Sequence, residues 1–269
     1  MQQLATLAKL KKWIGQTSVL DDDALTRLIN TASQFIFDYI QRPSIFRQTY
    51  TDLADGLGGN RMMLREWPVL SVSAVNAGTQ VVPAAPMPPD AGAGYIVDAF
   101  NGFPPGAQQS LTLLGGYVFP RGRSNVTVTY EAGYCVKDEA ATVPASPYQV
   151  TVAAPYGSWG RDDGVKLANG TALTKVTGTP GAMQYAVADG VYTFNAAQAS
   201  ASVLISYSYI PADLEDACIE LAGERYKYSF RIGQMSASAA GQVTTSYSLK
   251  AMPEFVRETL ARYRRRAMC

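Results

Sequence analysis

Histidine is absent from the 269 residues of this chain. Nucleophilic triads that need an imidazole base, zinc motifs built on histidine and histidine proton shuttles are therefore excluded. Charged residues are also scarce, at 17% of the sequence against roughly 25% in typical soluble proteins. The formal net charge is only +1, so no overall field attracts the protein to nucleic acid or to an acidic membrane.

The cysteines are few and scattered. Cys135, Cys218 and Cys269 form no CxxC pair, so the sequence indicates neither a thiolate metal site nor a redox pair. An odd number of unclustered cysteines is typical of a reducing compartment. The charged N-terminal segment does not resemble a signal peptide, and the long uncharged runs are broken by proline and glycine. We therefore expect a soluble protein made in the cytoplasm, without membrane contact.

Familiar catalytic and ligand-binding motifs are also lacking. No GxxxxGK[ST] sequence occurs, and the glycines of 55–60 (DGLGGN) lack the strand-then-helix setting of a dinucleotide site. We interpret this segment as a hairpin turn, and Asp52, Asp55 and Asn60 as solvated turn residues rather than calcium ligands. Paired carboxylates acting as a hydrolase acid and base stay open as an alternative, but the sequence indicates no particular pair. The prediction is a protein that is not an enzyme and has no cofactor, no metal site and no catalytic residues.

Helical spacing of apolar residues is clear in four parts of the chain. The first helix ends at Gly15, and the second, over 22–41, keeps one face apolar for about five turns. Asp21–Asp23 are expected to supply its N-cap and first-turn carboxylates. Pro211 opens a third helix and Pro253 a short fourth one, because proline is tolerated at the first helical position.

Between the second and third helices the apolar period changes to two, which indicates strands. Residues 44–134 predict a small antiparallel sheet that includes a hairpin of 45–52 with 62–66. Residues 135–210 lack helical spacing and predict an all-β module of the sandwich type. The strand candidates of this module are 148–153, 165–167, 173–177, 185–188, 191–195 and 203–209.

The predicted fold class is therefore α+β. A small helical bundle with an antiparallel β-sheet is expected to form from residues 1–134 and 211–269. An inserted all-β, sandwich-like domain is expected at 135–210.

The C-terminal region combines an uncharged segment with an arginine cluster. No charged residue occurs from 233 to 249, and such a stretch cannot bury enough apolar surface to fold alone. Residues 257–269 then hold five arginines against one glutamate, a local charge of +4. One interpretation is a solubilising tail. The other is a docking site for an anionic partner, either an acidic groove on a protein or the phosphates of passing nucleic acid.

Four segments, taken in order, resemble a known family. They are DDDALTRLINTASQFIFDYIQRP (21–43), MLREWPVLSVSAVNAG (63–78), GGYVFPRGRSNVTVTYEAGY (115–134) and IPADLEDACIELAGERYKY (210–228), followed by RIGQ (231–234) and PEFVRETLARYRR (253–265). Together they are similar to the head–tail connector (adaptor) proteins of tailed bacteriophages, over nearly all of 1–134 and 210–269. Residues 135–210 depart from that pattern as an insertion and resemble small β modules that decorate phage virion proteins.

The resemblance implies a structural virion protein located at the head–tail interface and made in the host cytoplasm. Such proteins form a ring, usually a dodecamer, that docks on the portal protein, extends the DNA channel and offers a platform to the next neck or tail protein. Genomic DNA would pass through the lumen without sequence-specific binding. The residues expected to contact the portal or a neighbouring subunit are Arg257, Leu260, Arg262, Tyr263, Arg264, Arg265 and Arg266. We also expect residues 250–269 to be removable without loss of the fold.

Two other functions stay open. One is a tail-completion or collar protein. The other is a carbohydrate-binding β module in which aromatic side chains of 135–210 stack on sugar rings, although aromatics in such modules more often belong to the core. The aromatic candidates are Tyr148, Tyr156, Trp159, Tyr185 and Tyr192.

Overall fold

A computed structural model describes residues 2–86, 92–98, 110–230 and 252–265 in full, and the strands at 236–239 and 243–246 as backbone. About 26% of the chain is helical and 39% is strand, in several sheets, which confirms the α+β class. The chain divides into two units, one of Met1–Ser44 with Ala212–Arg264 and the other of Ile45–Pro211 with Arg265–Cys269. The predicted boundary of an inserted domain at residue 135 stays a prediction.

The first unit is helical and contains the four helices that the apolar spacing predicted. They are α1 (Leu7–Ile14), α2 (Asp22–Ile40), α3 (Ala212–Ser229) and α4 (Glu254–Tyr263). The Thr6 hydroxyl accepts a hydrogen bond from the Lys9 amide at the start of α1, which satisfies a helix-end donor. Gly15 ends α1 in the left-handed conformation, with φ at 72°, as expected for a C-terminal glycine.

The start of α2 differs from its predicted cap. Asp21 occupies the N-cap position, but its carboxylate makes no capping hydrogen bond. Instead the Tyr226 hydroxyl donates to Asp21 Oδ2 over 2.8 Å, and Gln16 Nε2 donates to the same oxygen over 3.3 Å. Asp22 and Asp23 do lie in the first turn, where the helix dipole favours negative charge. A tertiary contact has therefore replaced the local cap.

Helix α4 is packed into the helical unit rather than projecting from it. Val256 and Leu260 are fully buried, and Tyr263 is 3% exposed. The helix lies against α2 and α3. Burying a side chain of the size of leucine contributes roughly 1.5–3 kcal/mol, so removal of 250–269 would expose core surface. Contrary to the expectation from the sequence, we therefore expect deletion of this segment to destabilise the helical unit.

The second unit begins with two antiparallel sheets. Their strands are β1 (Gln48–Gly56), β2 (Arg61–Met63), β3 (Val69–Ala77), β4 (Gln80–Val82), β5 (Gly94–Val97), β6 (Ser110–Leu114) and β7 (Gly122–Ala132). One sheet has the order β1-β7-β3-β4 and the other β2-β6-β5. Their shared core includes Leu64, Leu111, Val126, Val128 and Tyr130.

The predicted hairpin between 45–52 and 62–66 does not form. Strand β1 pairs with β7, where Thr51 lies opposite Thr129, and β2 pairs with β6, where Met62 lies opposite Leu111. Alternation along a strand determines which face is buried, but it does not select the partner strand. Here the partners come from distant parts of the chain, because β7 carries the buried residues around which the sheet assembles.

Residues 135–210 form two further sheets and contain no α-helix. Their strands are β8 (Cys135–Thr142), β9 (Gln149–Thr151), β10 (Gly157–Leu167), β11 (Thr174–Lys175), β12 (Gln184–Ala188), β13 (Val191–Phe194) and β14 (Ser202–Pro211). The sheet orders are β10-β14-β8 and β11-β12-β13-β9. Every predicted strand of this module is present. Strand β8 was missed because its charged sequence, CVKDEAAT, shows no clear alternation.

Part of the uncharged segment 233–249 pairs with itself. Strands β15 (Ser236–Ala239) and β16 (Val243–Ser246) form an antiparallel two-stranded ladder. The other residues of this segment lie outside the described residues. A two-stranded ladder alone is marginally stable in water. That the segment cannot fold alone stays a prediction.

Candidate docking surface

The predicted docking helix α4 has two opposite faces. Its inner face is held by burial and by a hydrogen bond from the Tyr263 hydroxyl to Asp213 Oδ1 over 2.5 Å. Asp213 lies in the first turn of α3, so this bond links the end of α4 to the start of α3. Leu260 and Tyr263 thus stabilise the helix from within, and in this structure they are not exposed to a partner.

The outer face of α4 is available to a partner. Phe255 is 57% exposed, and Glu258 and Arg262 follow it at helical spacing on the same face, both exposed. Arg257 is exposed as well and pairs with Glu254 over 3.1 Å within the helix. Arg264 lies just beyond the helix and is exposed. We call this surface, formed by Phe255, Arg257, Glu258, Arg262 and Arg264, the α4 outer face. Its arginines are among the residues predicted from the sequence, whereas Phe255 is not.

Fewer arginines of the C-terminal cluster are free to contact a partner than the local charge of +4 suggested. Arg265 belongs to the second unit, where its Nε lies 2.9 Å from Oε1 of Glu66. The Glu66 side chain is completely buried. A buried carboxylate needs a compensating charge, so Arg265 has a structural role in this fold. Arg266 lies outside the described residues. Arg262 and Arg264 are therefore the members of the cluster that are exposed without a described ion pair.

A buried polar network lies around the backbone of Glu66. The Tyr130 hydroxyl donates to Asp52 Oδ2 over 2.6 Å and accepts from the Glu66 amide over 3.0 Å. Asp52 also accepts from the Arg65 amide over 3.3 Å. Burial, together with the bond to Asp52, raises the pKa of Tyr130 well above its usual value. The interpretation of Asp52 as a solvated turn residue is therefore wrong, because its carboxylate is an acceptor inside the sheet core.

The aromatic candidates for sugar stacking are divided between core and surface. Tyr185 and Tyr192 are buried, and both donate to Asp162, over 2.9 and 3.1 Å. Burial and the Asp162 charge raise the pKa of both tyrosines. Trp159 is partly exposed and donates to the Tyr192 hydroxyl over 3.3 Å. Tyr148 and Tyr156 are partly exposed too. The two buried rings cannot stack on a sugar, so these five residues do not form one binding platform.

A cavity of about 300 Å³ in the second unit is lined by five charged side chains, which are Arg47, Lys137, Asp138, Asp163 and Lys166. Four of these five side chains form ion pairs, and Asp163 lies 2.7 Å from a nitrogen of Arg161. Lys166 lies 2.9 Å from Asp138, and both oxygens of Glu131 lie within 3.1 Å of an Arg47 nitrogen. Within the residues that the structure describes, no group of three or more cysteines and carboxylates is placed to hold a metal ion. The cavity therefore provides ion pairs rather than convergent ligands.

Comparisons with known proteins add little. No protein-family model matches this sequence, and no curated protein matches it significantly. One solved structure, described as "Neck of empty GTA particle computed with C6 symmetry", aligns over 98% of this chain and 91% of its own, with 14% identity and a TM-score of 0.31. A likeness at this level carries no argument about fold or function. No helix within the described residues combines the length and apolar character needed to span a membrane.

The bond between Tyr263 and Asp213 can be tested on its own. Tyr263→Phe removes one hydrogen bond and leaves the buried ring in place, so we expect the free energy of unfolding to fall by about 1 kcal/mol. Urea unfolding followed by circular dichroism measures this loss. Tyr228→Phe, at a site on α3 that is 38% exposed, is the control and should change nothing measurable. An unchanged stability in Tyr263→Phe would show that the bond does not hold α4 in place.

Proposed function

We propose that this chain is a structural protein of a phage-type neck, which forms a ring between the portal vertex of the head and the tail and extends the DNA channel. The sequence segments that resemble connector proteins support the proposal. They coincide with α2 and α3 of the helical unit and with β3 and β7 of the second unit, so the resemblance falls on central elements of both units. Such a subunit acts by binding other proteins, and it needs neither a cofactor nor a catalytic group.

The α4 outer face is the observation that carries the docking part of the proposal. An exposed phenylalanine beside exposed arginines is the composition of an interaction site, since aromatic side chains and arginine are enriched at interface centres. The inner face of α4 is buried, so the helix presents this surface without first having to fold. A preformed surface avoids the entropy cost of ordering on binding. The proposed partner is an acidic groove on the portal protein.

Charge reversal on this face is the test of the proposal. We expect Arg262→Glu combined with Arg264→Glu to weaken binding to the portal protein by about tenfold or more, because like charges would oppose an acidic groove. Binding of the unchanged protein should weaken as salt is raised, whereas the residual binding of the variant should depend less on salt. Biolayer interferometry against immobilised portal rings measures both effects.

The matched control is Arg27→Glu, a charge reversal on the exposed side of α2. It should bind portal as the unchanged protein does. Equal portal binding by the unchanged protein, the Arg262→Glu/Arg264→Glu variant and Arg27→Glu would count against α4 as the docking site. Co-purification with tail tube instead of portal would replace the adaptor assignment with a tail-completion or collar protein.

A further inference from the structure

Strand β1 is the outermost strand of the sheet β1-β7-β3-β4, so one of its sides has no neighbouring strand. Among the residues that the structure describes, β7 is the element that packs along it. An edge strand carries N–H and C=O groups that its own sheet does not satisfy, and another extended chain can pair with them. The side of β1 turned away from β7 is therefore where this sheet can gain a strand. We call it the free side of β1.

A hydrogen bond on β7 shows which residues face which neighbour. The N–H and C=O groups of one residue point to the same side of a strand, and successive residues alternate. The carbonyl of Thr129 on β7 accepts from the hydroxyl of Ser73 on β3 over 3.0 Å. Odd-numbered residues of β7 therefore face β3, and even-numbered residues face β1.

The strand register transfers this alternation to β1. The residues that lie opposite even-numbered positions of β7 include Tyr50 and Asp52, so these two exchange backbone hydrogen bonds with β7. Thr49, Thr51 and Leu53 alternate with them and turn their N–H and C=O groups toward the free side. The register is regular over these residues, since its one irregularity comes after Ala54.

Arg47, two residues before Thr49, points the same way. Its amide donates to Ser208 Oγ over 3.2 Å, and its carbonyl accepts from a nitrogen of Arg161 over 2.6 Å. The position of the edge at Arg47 is thus occupied. Within the part of the chain that the structure describes, no strand pairs with the next five residues, 49–53, on that side. These five residues extend over about 16 Å.

Strand β1 also lacks the features that protect an edge. Natural proteins keep edge strands short, place charges or proline on them, or interrupt them with bulges. The edge strands β2, β4, β5, β9 and β11 have two to four residues, and β8 and β10 carry several charges and irregular registers. Strand β1 has nine residues, and the one charged side chain of its first seven, Asp52, is buried.

The ladder of β15 and β16 is a second element with unprotected edges. It is a two-stranded sheet by itself, so each of its strands has one unpaired side. Residues 233–249 contain neither a charged residue nor a proline. Strand β16 has the sequence VTTS, and valine and threonine favour the extended conformation. Its four residues extend over about 13 Å, which matches the open part of β1.

We infer that β16 of one copy pairs with the free side of β1 in a second copy, as in β-strand addition. Within one chain the ladder and β1 belong to separate sheets, so the pairing joins two copies. The contact consists of backbone hydrogen bonds, which an uncharged strand can form whatever the signs of the neighbouring charges. It uses a different element of each copy, as a closed ring requires, and in this respect the inference rests on the proposed function.

The first test is a disulfide between copies. Thr51→Cys is mixed in turn with Thr244→Cys and with Thr245→Cys, each as a full chain, under mild oxidation. At least one mixture should give covalent heterodimers that neither chain gives alone. Ser71→Cys is the matched control, because Ser71 is exposed on β3, two strands away from the edge, and should give none.

The native cysteines do not interfere with this test. All the chains carry Cys269→Ser, and burial raises the pKa of both Cys135 and Cys218 to about 11, so these thiols stay protonated at pH 8. A disulfide that forms only when both new cysteines lie in one chain, and that leaves this chain monomeric, would overturn the inference.

The second test removes one donor from the free side. Thr51→Pro should keep the fold, because proline is tolerated on an edge strand where its missing N–H does not bond to the neighbouring strand. We expect ring assembly to need about tenfold more protein, as loss of one or two backbone hydrogen bonds would give. Thr51→Val keeps the N–H and should assemble as the unchanged protein does.

The double change Thr244→Pro and Thr245→Pro probes the same contact from the other strand. It interrupts β16 and should weaken assembly as Thr51→Pro does. Native mass spectrometry measures the rings, and circular dichroism shows that each variant is folded. If Thr51→Pro does not fold, the β16 variant decides.

The outcomes separate this inference from the proposed function. Rings that persist in the β16 variant at the usual protein concentration would overturn the inference and leave the proposed function standing. An unchanged protein that stays monomeric at high concentration would overturn the inference as well. Portal binding, measured separately on the same sample, shows whether the proposed function fails with it.

Discussion

Replacing Gly133 with alanine is expected to prevent the β-rich unit from folding. Gly133 lies between β7 and β8 with φ at 136°, a conformation that residues with a side chain rarely adopt. A Cβ atom there would lie 2.4 Å from the carbonyl carbon and oxygen of Phe46 and 2.5 Å from the Arg47 amide nitrogen. These are backbone atoms, so no rotation of a side chain can relieve the clash. We expect a loss of more than about 4 kcal/mol, which is the range of severe backbone strain and overpacking.

The hydrogen bonds around Gly133 explain why the backbone cannot move away. Its amide donates to Pro68 O over 2.9 Å, and the next amide, of Tyr134, donates to Ile45 O over 2.8 Å. The control is Gly116→Ala, where φ is also positive, at 87°, but nothing lies within 4 Å of the added atom. It should cost about 1 kcal/mol, from conformation alone. Soluble yield and thermal unfolding by circular dichroism compare the two. A Gly133→Ala protein with unchanged thermal stability would contradict the described path of the chain.

Replacing Asp162 with alanine is expected to destabilise the 135–210 module by about 3 kcal/mol, because two buried tyrosine hydroxyls would lose their acceptor. The Asp162 side chain is only 5% exposed. It accepts from Tyr185, from Tyr192 and from the Gly164 amide, and it lies 3.3 Å from Nζ of Lys175. Asp162→Asn keeps the size of the side chain and one acceptor oxygen, so it should cost less than the alanine change.

Urea unfolding, followed by tryptophan fluorescence, measures this effect. Trp159 is a local probe because its indole nitrogen donates to Tyr192, a partner of Asp162. Asp138→Ala is the control, since Asp138 pairs with Lys166 at a partly exposed site and its loss should shift the unfolding curve much less. Equal shifts for Asp162→Ala and Asp138→Ala would show that the buried network does not hold the module together.

The helices could be predicted because their information is local. The apolar stripe of α2 and the glycine after α1 depend on neighbouring residues only, and both are present in the structure. The predicted aspartate cap of α2 was wrong in detail, since the hydroxyl of Tyr226, more than two hundred positions away, binds the Asp21 carboxylate. A sequence pattern cannot show competition from so distant a group.

The candidate docking surface was predicted in its charges but not in its orientation. The cluster of arginines is visible in the sequence, and Arg262 and Arg264 are indeed exposed. The spacing of Leu260 and Tyr263 relative to Phe255 could have indicated opposite faces of a helix. The face of α4 that is buried is the one that packs against α2 and α3. The sequence does not show this packing, so the predicted docking residues included the buried Leu260 and Tyr263 and left out the exposed Phe255.

The sequence by itself determined the α+β class, the places of the four helices, most strands of 135–210 and the exclusion of histidine chemistry. Each of these depends on composition or on a period of two or 3.6 residues, which short stretches of chain carry on their own. Tertiary structure alone decided that β1 pairs with β7, that Arg265 meets a buried glutamate and that Asp162 lies among tyrosines. Those outcomes depend on which distant parts of the chain pack against each other. Once such a polar side chain is buried, it needs a hydrogen-bond or ion-pair partner, because burial without one costs free energy.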